Sequence, residues 1–152
     1  MVEIYRALRA FLLADATIAA TVGTRIYPMK LPQNVTYPAI TILRVSGVRA
    51  NVLRGSASLA RPRYQIDCWV RETTGATAFT TAQDLGAAVF ARMDSAHDGV
   101  IMTDPSTSPP THYRATVTFD DDRDLFDPDV NGGYFRHSAD YFVWYGVHPV
   151  AV

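Results

Sequence analysis

From Arg63 to Arg71 the chain alternates without a break. Tyr64, Ile66, Cys68 and Val70 point one way; Arg63, Gln65, Asp67, Trp69 and Arg71 point the other. Period two over that length predicts a half-buried antiparallel strand, with one face for a core and the other for water or a partner. The pattern recurs from His112 to Phe119, where Tyr113, Ala115, Val117 and Phe119 are apolar. It recurs again from Tyr134 to Tyr145, with Phe135, Ala139, Tyr141, Val143 and Tyr145 on one side. Ala39 to Val48 is rich in β-branched residues and reads as a further strand.

Helical spacing appears twice. Ile4, Leu8, Phe11 and Leu12 form one stripe, with Arg6 and Arg9 away from it. Phe79, Ala82, Gly86, Val89 and Met93, joined by Leu85 and Phe90, form another, predicting a helix over Ala76 to Met93 with an N-cap from Thr73 or Thr74. Asp15 suits the cap of a short turn through Ile18 and Val22, and Gly23 suits its end. Arg25 to Pro28 and Val100 to Met102 read as short strands. Pro28 to Pro38 and Asp104 to Pro110 are punctuated by proline and read as loops.

The 152 residues suffice for one domain, taken here as 1–152. The order α, β, β, α, β, β predicts an α+β fold: an antiparallel or mixed sheet of about four main strands with two main helices packed on one face. Two connections stand out. Gly47 to Ala60 reads as a long loop of small residues, with Arg49, Arg54 and Arg61 in or beside it. Asp120 to Gly133 reads as an acidic, turn-rich connection.

By parity, the face away from the helices carries Arg63, Gln65, Asp67, Arg114, Arg136, Ser138 and Asp140. Trp69, Phe142 and Trp144 share it. Such aromatics are either covered locally or form a subunit interface. The formal net charge of −1 asks for neither a nucleic acid nor an anionic membrane as main partner. Lys30 is the only lysine among 14 basic residues, which fits either codon bias or arginine-rich interfaces. The first helix carries Glu3, Arg6 and Arg9, which suits neither a signal peptide nor a membrane span. The expected setting is a cytoplasm, or something assembled there.

Chemistry is hard to find. Asp120, Asp122 and Asp124 fit the first ligand positions of a calcium loop, but Leu125 stands where glycine is needed and Asn131 where glutamate is needed. The acidic run therefore reads as a solvated hairpin, an acidic docking surface for a neighbour's arginines, or a metal site of another kind. His112 and His137 fall on opposite faces by parity and do not converge. Cys68 stands alone, on a core face, so no internal disulfide or cysteine cluster forms. Nucleophile elbows and phosphate-binding glycine loops are absent. Nothing argues for an enzyme, and no cofactor, catalytic residue or metal ligand is expected.

Several pieces, spread over nearly the whole chain, resemble the tail completion or tail terminator family of long-tailed phages and related tailed particles, prophages and gene transfer agents among them. They are Ala7 to Asp15, Val22 to Pro28, Leu31-Pro32-Gln33 with Tyr37-Pro38-Ala39, Leu59 to Trp69, Phe119 to Pro128, and Tyr134 to Trp144. The resemblance implies a small α+β subunit forming a ring, usually of six, on the head-proximal end of the tail tube. Such a ring ends tube growth and docks to neck proteins at the tail–neck junction of the virion. Its implied partners are itself, the tail tube protein and a neck or head completion protein, with DNA passing through the lumen without sequence-specific binding and no membrane. A head completion or stopper protein is the alternative within assembly. A small metal-binding or hydrolase-like domain using Asp120 to Asp129 and His112 is the alternative of another class. The expected interface residues are Arg49, Arg54, Arg61, Trp69, Asp121, Asp122, Asp124, Phe142 and Trp144. The arginines of one loop would complement the aspartates of the other across subunits.

Overall fold

In the computed structural model, residues 4–53, 55–72, 76–129, 132–146 and 148–152 are described. Helix α1 (Tyr5–Leu13) buries Ala7, Leu8, Phe11 and Leu12. Helix α2 (Ala16–Val22) starts where Asp15 Oδ1 accepts the amides of Thr17 and Ile18, at 2.9 and 3.1 Å. It ends at Gly23, whose φ of +60° favours a residue without Cβ. Strands β1 (Ile26–Pro28), β2 (Ala39–Val52) and β3 (Gly55–Arg71) follow. Then come α3 (Ala76–Asp94), β4 (Val100–Asp104), β5 (Thr111–Asp129) and β6 (Gly132–Gly146).

The described residues form one six-stranded sheet in the order β1-β2-β3-β6-β5-β4. Only β1 and β2 run parallel; the other neighbours are antiparallel. The architecture is α+β, as expected. The four main strands and two main helices are there, and α2, β1 and β4 raise the tally among the described residues to six strands and three helices. The expected cap of α3 at Thr73 or Thr74 lies outside the described residues.

The parity of the central strands holds. Tyr64, Ile66, Cys68 and Val70 are buried, as are Tyr113, Ala115 and Val117, and Ala139, Tyr141, Val143 and Tyr145. All but Val70 join Leu8, Leu12, Ile18, Leu85, Val89 and Met93 of the helices in one core on one face of the sheet, while Val70 packs with Ala78 and Ala82 of α3 in a second cluster. Burial pushes the Cys68 thiol far above its ordinary range, with the Asp67 charge adding to the rise. Phe79 and Phe90 depart from the expected α3 stripe. Both are partly exposed, and they lean sideways onto Phe135 and Phe119. Among the described residues no helix is long and apolar enough to cross a membrane.

Arginine, not lysine, ties the helices to the sheet and to one another. Arg9 donates to the carbonyls of Ile26 (2.9 Å) and Thr24 (2.8 Å). Arg25 donates to those of Pro38 (2.9 Å) and Thr21 (3.2 Å). Arg92 lies 3.8 Å above the Phe11 ring and donates to the Phe11 carbonyl at the end of α1. A planar fork with several donors does this; a lysine ammonium does not. Part of the arginine bias is thus internal architecture.

Both expected loops are strands. Residues 47–52 belong to β2 and 55–60 to β3, and Val52 pairs with Gly55. Bulges between Arg44 and Ser46 and between Arg49 and Asn51 absorb the irregular sequence. Asp120 to Asp129 likewise lies inside β5, paired with β6 down to Asp129 opposite Gly132. Cross-strand partners explain why so acidic a run stays extended: Asp124 meets His137, and Asp127 meets Arg136. Sequence alone shows the charges but not what stands opposite them.

Candidate assembly surfaces

The sheet register builds the helix-free face. Arg63 of β3 pairs with Asp140 of β6 and lies 3.2 Å from Asp120 of β5. Arg123 reaches Asp140 at 3.6 Å and donates to Gln65 Oε1 at 3.2 Å. Gln65 Nε2 donates to Asp67 Oδ2 at 2.9 Å. Arg136 holds Asp67 at 3.3 Å and Asp127 at 3.2 Å. Asp140 and Asp67 are only 2% and 5% exposed, although no helix covers them. Their neighbours' arginines do the covering. The hydrogen bond and charge of Asp140 push the Arg63 guanidinium still higher in pKa.

The aromatics sit at the two ends of this lattice. The Arg61 guanidinium lies 4.8 Å over Phe142 and 5.0 Å over Trp144. Trp69 lies eight residues beyond Arg61 along β3, roughly 26 Å away on an extended strand. It donates from Nε1 to Thr41 Oγ1 at 2.9 Å, and Arg136 lies 4.8 Å over its ring. The expected residues therefore form two arginine-roofed aromatic sites, not one patch. All three rings are half-buried.

The acidic residues divide between faces. Asp121 stands opposite Asp140, on the helix-free side, and its Oδ1 accepts the Asp122 amide at 2.9 Å. Asp122 and Asp124 turn the other way and flank His137, at 3.6 and 3.0 Å. Gln83 of α3 donates to Asp124 at 3.3 Å. The His137 ring lies against Gly86, where an added Cβ would fall 2.2 Å from Cδ2. Gly86 is thus the residue that lets α3 close over β6. Gln83, Gly86, Ala87, Phe90, Phe119, Asp122, Asp124 and His137 line a cleft of about 390 Å³.

Arg49 is exposed on β2, opposite Ala60. Arg54 lies outside the described residues. His112 bonds to Thr103 Oγ1 at 2.9 Å. It precedes Asp120 by eight residues of strand, about 26 Å, so it does not join the acidic run. Among the described residues no group of three or more His, Cys, Asp or Glu is placed to hold a metal.

The lattice of Arg63, Arg123 and Arg136 with Asp67 and Asp140 is not legible in the sequence: parity places Arg63, Asp67, Arg136 and Asp140 on this face, but Arg123 falls in the stretch that reads as a loop. Parity gives the face; only the register between β3, β6 and β5 gives the partners.

A family model described as "Tail completion protein gp17" matches residues 6–146. The chain belongs to this tail completion family. Membership points to a structural role in a phage-like tail rather than a catalytic one. Among solved structures, a chain of the virion of a native gene transfer agent particle shares the fold, with a TM-score of 0.60 at 20% identity over 91% of each chain. A comparison with curated proteins gave no match. The tail completion fold here spans both hairpins and all three described helices, since the match runs from Arg6 to Gly146.

Proposed function

We propose that this chain closes into a ring, the hexamer that its family resemblance implies, on the head-proximal end of a tail tube. There it ends tube polymerisation and joins tail to neck. The observation that carries the reading is the tail completion match over residues 6–146. The near-neutral charge of −1 suits a ring through which DNA passes without sequence-specific contact. Heterologous rings need two different surfaces on each subunit, and the sheet has two dissimilar lateral edges. Its partners on this reading are further copies of itself, the tail tube protein and a neck or head completion protein.

Particles assembled without the chain test this directly. Electron microscopy should find over-long tubes and heads lacking tails, and supplying the chain should restore normal length and joining. Tails of normal length, joined to heads in its absence, would overturn the reading.

A further inference from the structure

The two lateral edges of the sheet are only partly covered. β1 pairs with Ile40 to Ile42 of β2 and stops there. β4 pairs with Thr111 to Ala115 of β5, and the Val117 amide is taken by the Ala96 carbonyl. Among the described residues, no strand pairs with the outer side of β2 beyond Ile42 or of β5 beyond Ala115. Bare edges of this length are templates for pairing with another chain.

The two bare edges match each other in four respects. Arg44, Tyr64, Tyr141 and Phe119 are successive partners in one row across the sheet, and both edges are bare at that level. A copy added edge to edge at that level needs little rise along the strands, which favours closure over a filament. β2 and β5 run in opposite directions, so the join is antiparallel. Charge is complementary on the helix side of the sheet, where Arg44 and Arg49 of β2 stand opposite Tyr64 and Ala60, and Asp122 and Asp124 of β5 stand opposite Ala139 and His137. Exposed apolar side chains stand at both edges: Val45, in the β2 bulge, is 48% exposed, and Phe119 of β5 is 44% exposed.

We propose that copies of this chain join through these edges, β2 of one copy from Leu43 to Ser46 adding to β5 of the next from Thr118 to Asp121, so that the sheet runs on from subunit to subunit. The inference rests on the ring reading and names the contact that builds the ring. Arg44 then stands opposite Phe119 and diagonal to Asp122, on the same face of the joined sheet.

Two full-length chains test it, one carrying Val45→Cys and the other Phe119→Cys, with Cys68 left in place because it is buried. Each is purified, checked by thermal melting, and oxidised mildly alone and mixed. Where Phe119→Cys fails to fold, Thr118→Cys takes its place. The expected result is a covalent dimer in the mixture and none from either chain alone. Cross-linking of Val45→Cys with itself would mean a two-fold contact and overturn the inference. Wild-type multimers without the mixed cross-link would overturn the edge contact and leave the ring standing. Wild-type chain that stays monomeric at every concentration would overturn both.

Discussion

The two faces of this sheet are made stable by different physics. On the helix-covered face, Ile66, Cys68, Tyr141 and Val143 are sealed under α1, α2 and α3. On the other face, carboxylates as deeply buried as Asp140 are sealed by arginines of adjacent strands. The apolar face draws on area removed from water, which tolerates no gaps. The charged face draws on geometry: each partner is half exposed, so each bond is individually modest and solvent replaces it when it is lost. The lesson is that the absence of a helix does not leave this face bare. It is closed by its own ion pairs, and the surfaces left open are the lateral edges.

The contrast can be broken by mutation. Ile66→Ala should cost about 3 kcal/mol, since it opens a cavity in a packed interior. Denaturant unfolding would show this as a large fall in midpoint. A cost near that of a surface change would mean that the two faces do not differ as described.

Gly86→Ala should cost about 2 kcal/mol through overpacking against His137, despite alanine's better helix propensity. The double variant with His137→Ala should recover most of the loss. Failure of that rescue would place the strain elsewhere.

Asp140→Ala should cost about 1–2 kcal/mol, because Arg63 and Arg123 lose a buried acceptor yet remain about a third exposed. A cost equal to that of Ile66→Ala would make the charged face as demanding as the core. Arg61→Ala should remove only the contacts over Phe142 and Trp144, about 0.5–1 kcal/mol. Its melting curve should sit closest to wild type.

Much of the fold was legible because it follows from period. Tyr64, Ile66, Cys68 and Val70 announce a face by alternation, and Leu85, Val89 and Met93 announce another by helical spacing. Asp15 and Gly23 mark the ends of α2 by cap chemistry. The hairpins were not legible at full length. Gly47 and the serines near it look like a loop, and so does Asp120 to Asp129, because strand propensity depends on what lies opposite. The candidate surfaces were legible only as faces. Trp69 and Trp144 share one, yet register sets them at opposite ends of an ion-pair lattice. Asp121 and Asp122 are neighbours in sequence and face opposite ways. That Phe90 and Phe119 stack at the rim was hidden, because a partly exposed ring has the same sequence signature as a buried one.

The central claim is that this tail completion subunit closes on itself through unlike surfaces. The most direct measurement is the native mass of the purified full-length chain by light scattering across a concentration series, with negative-stain images of the same fractions. The account predicts a single closed species with a central hole and a mass that is a fixed multiple of the 16.8 kDa chain. A chain that stays monomeric, or that stops at a two-fold dimer, would contradict it.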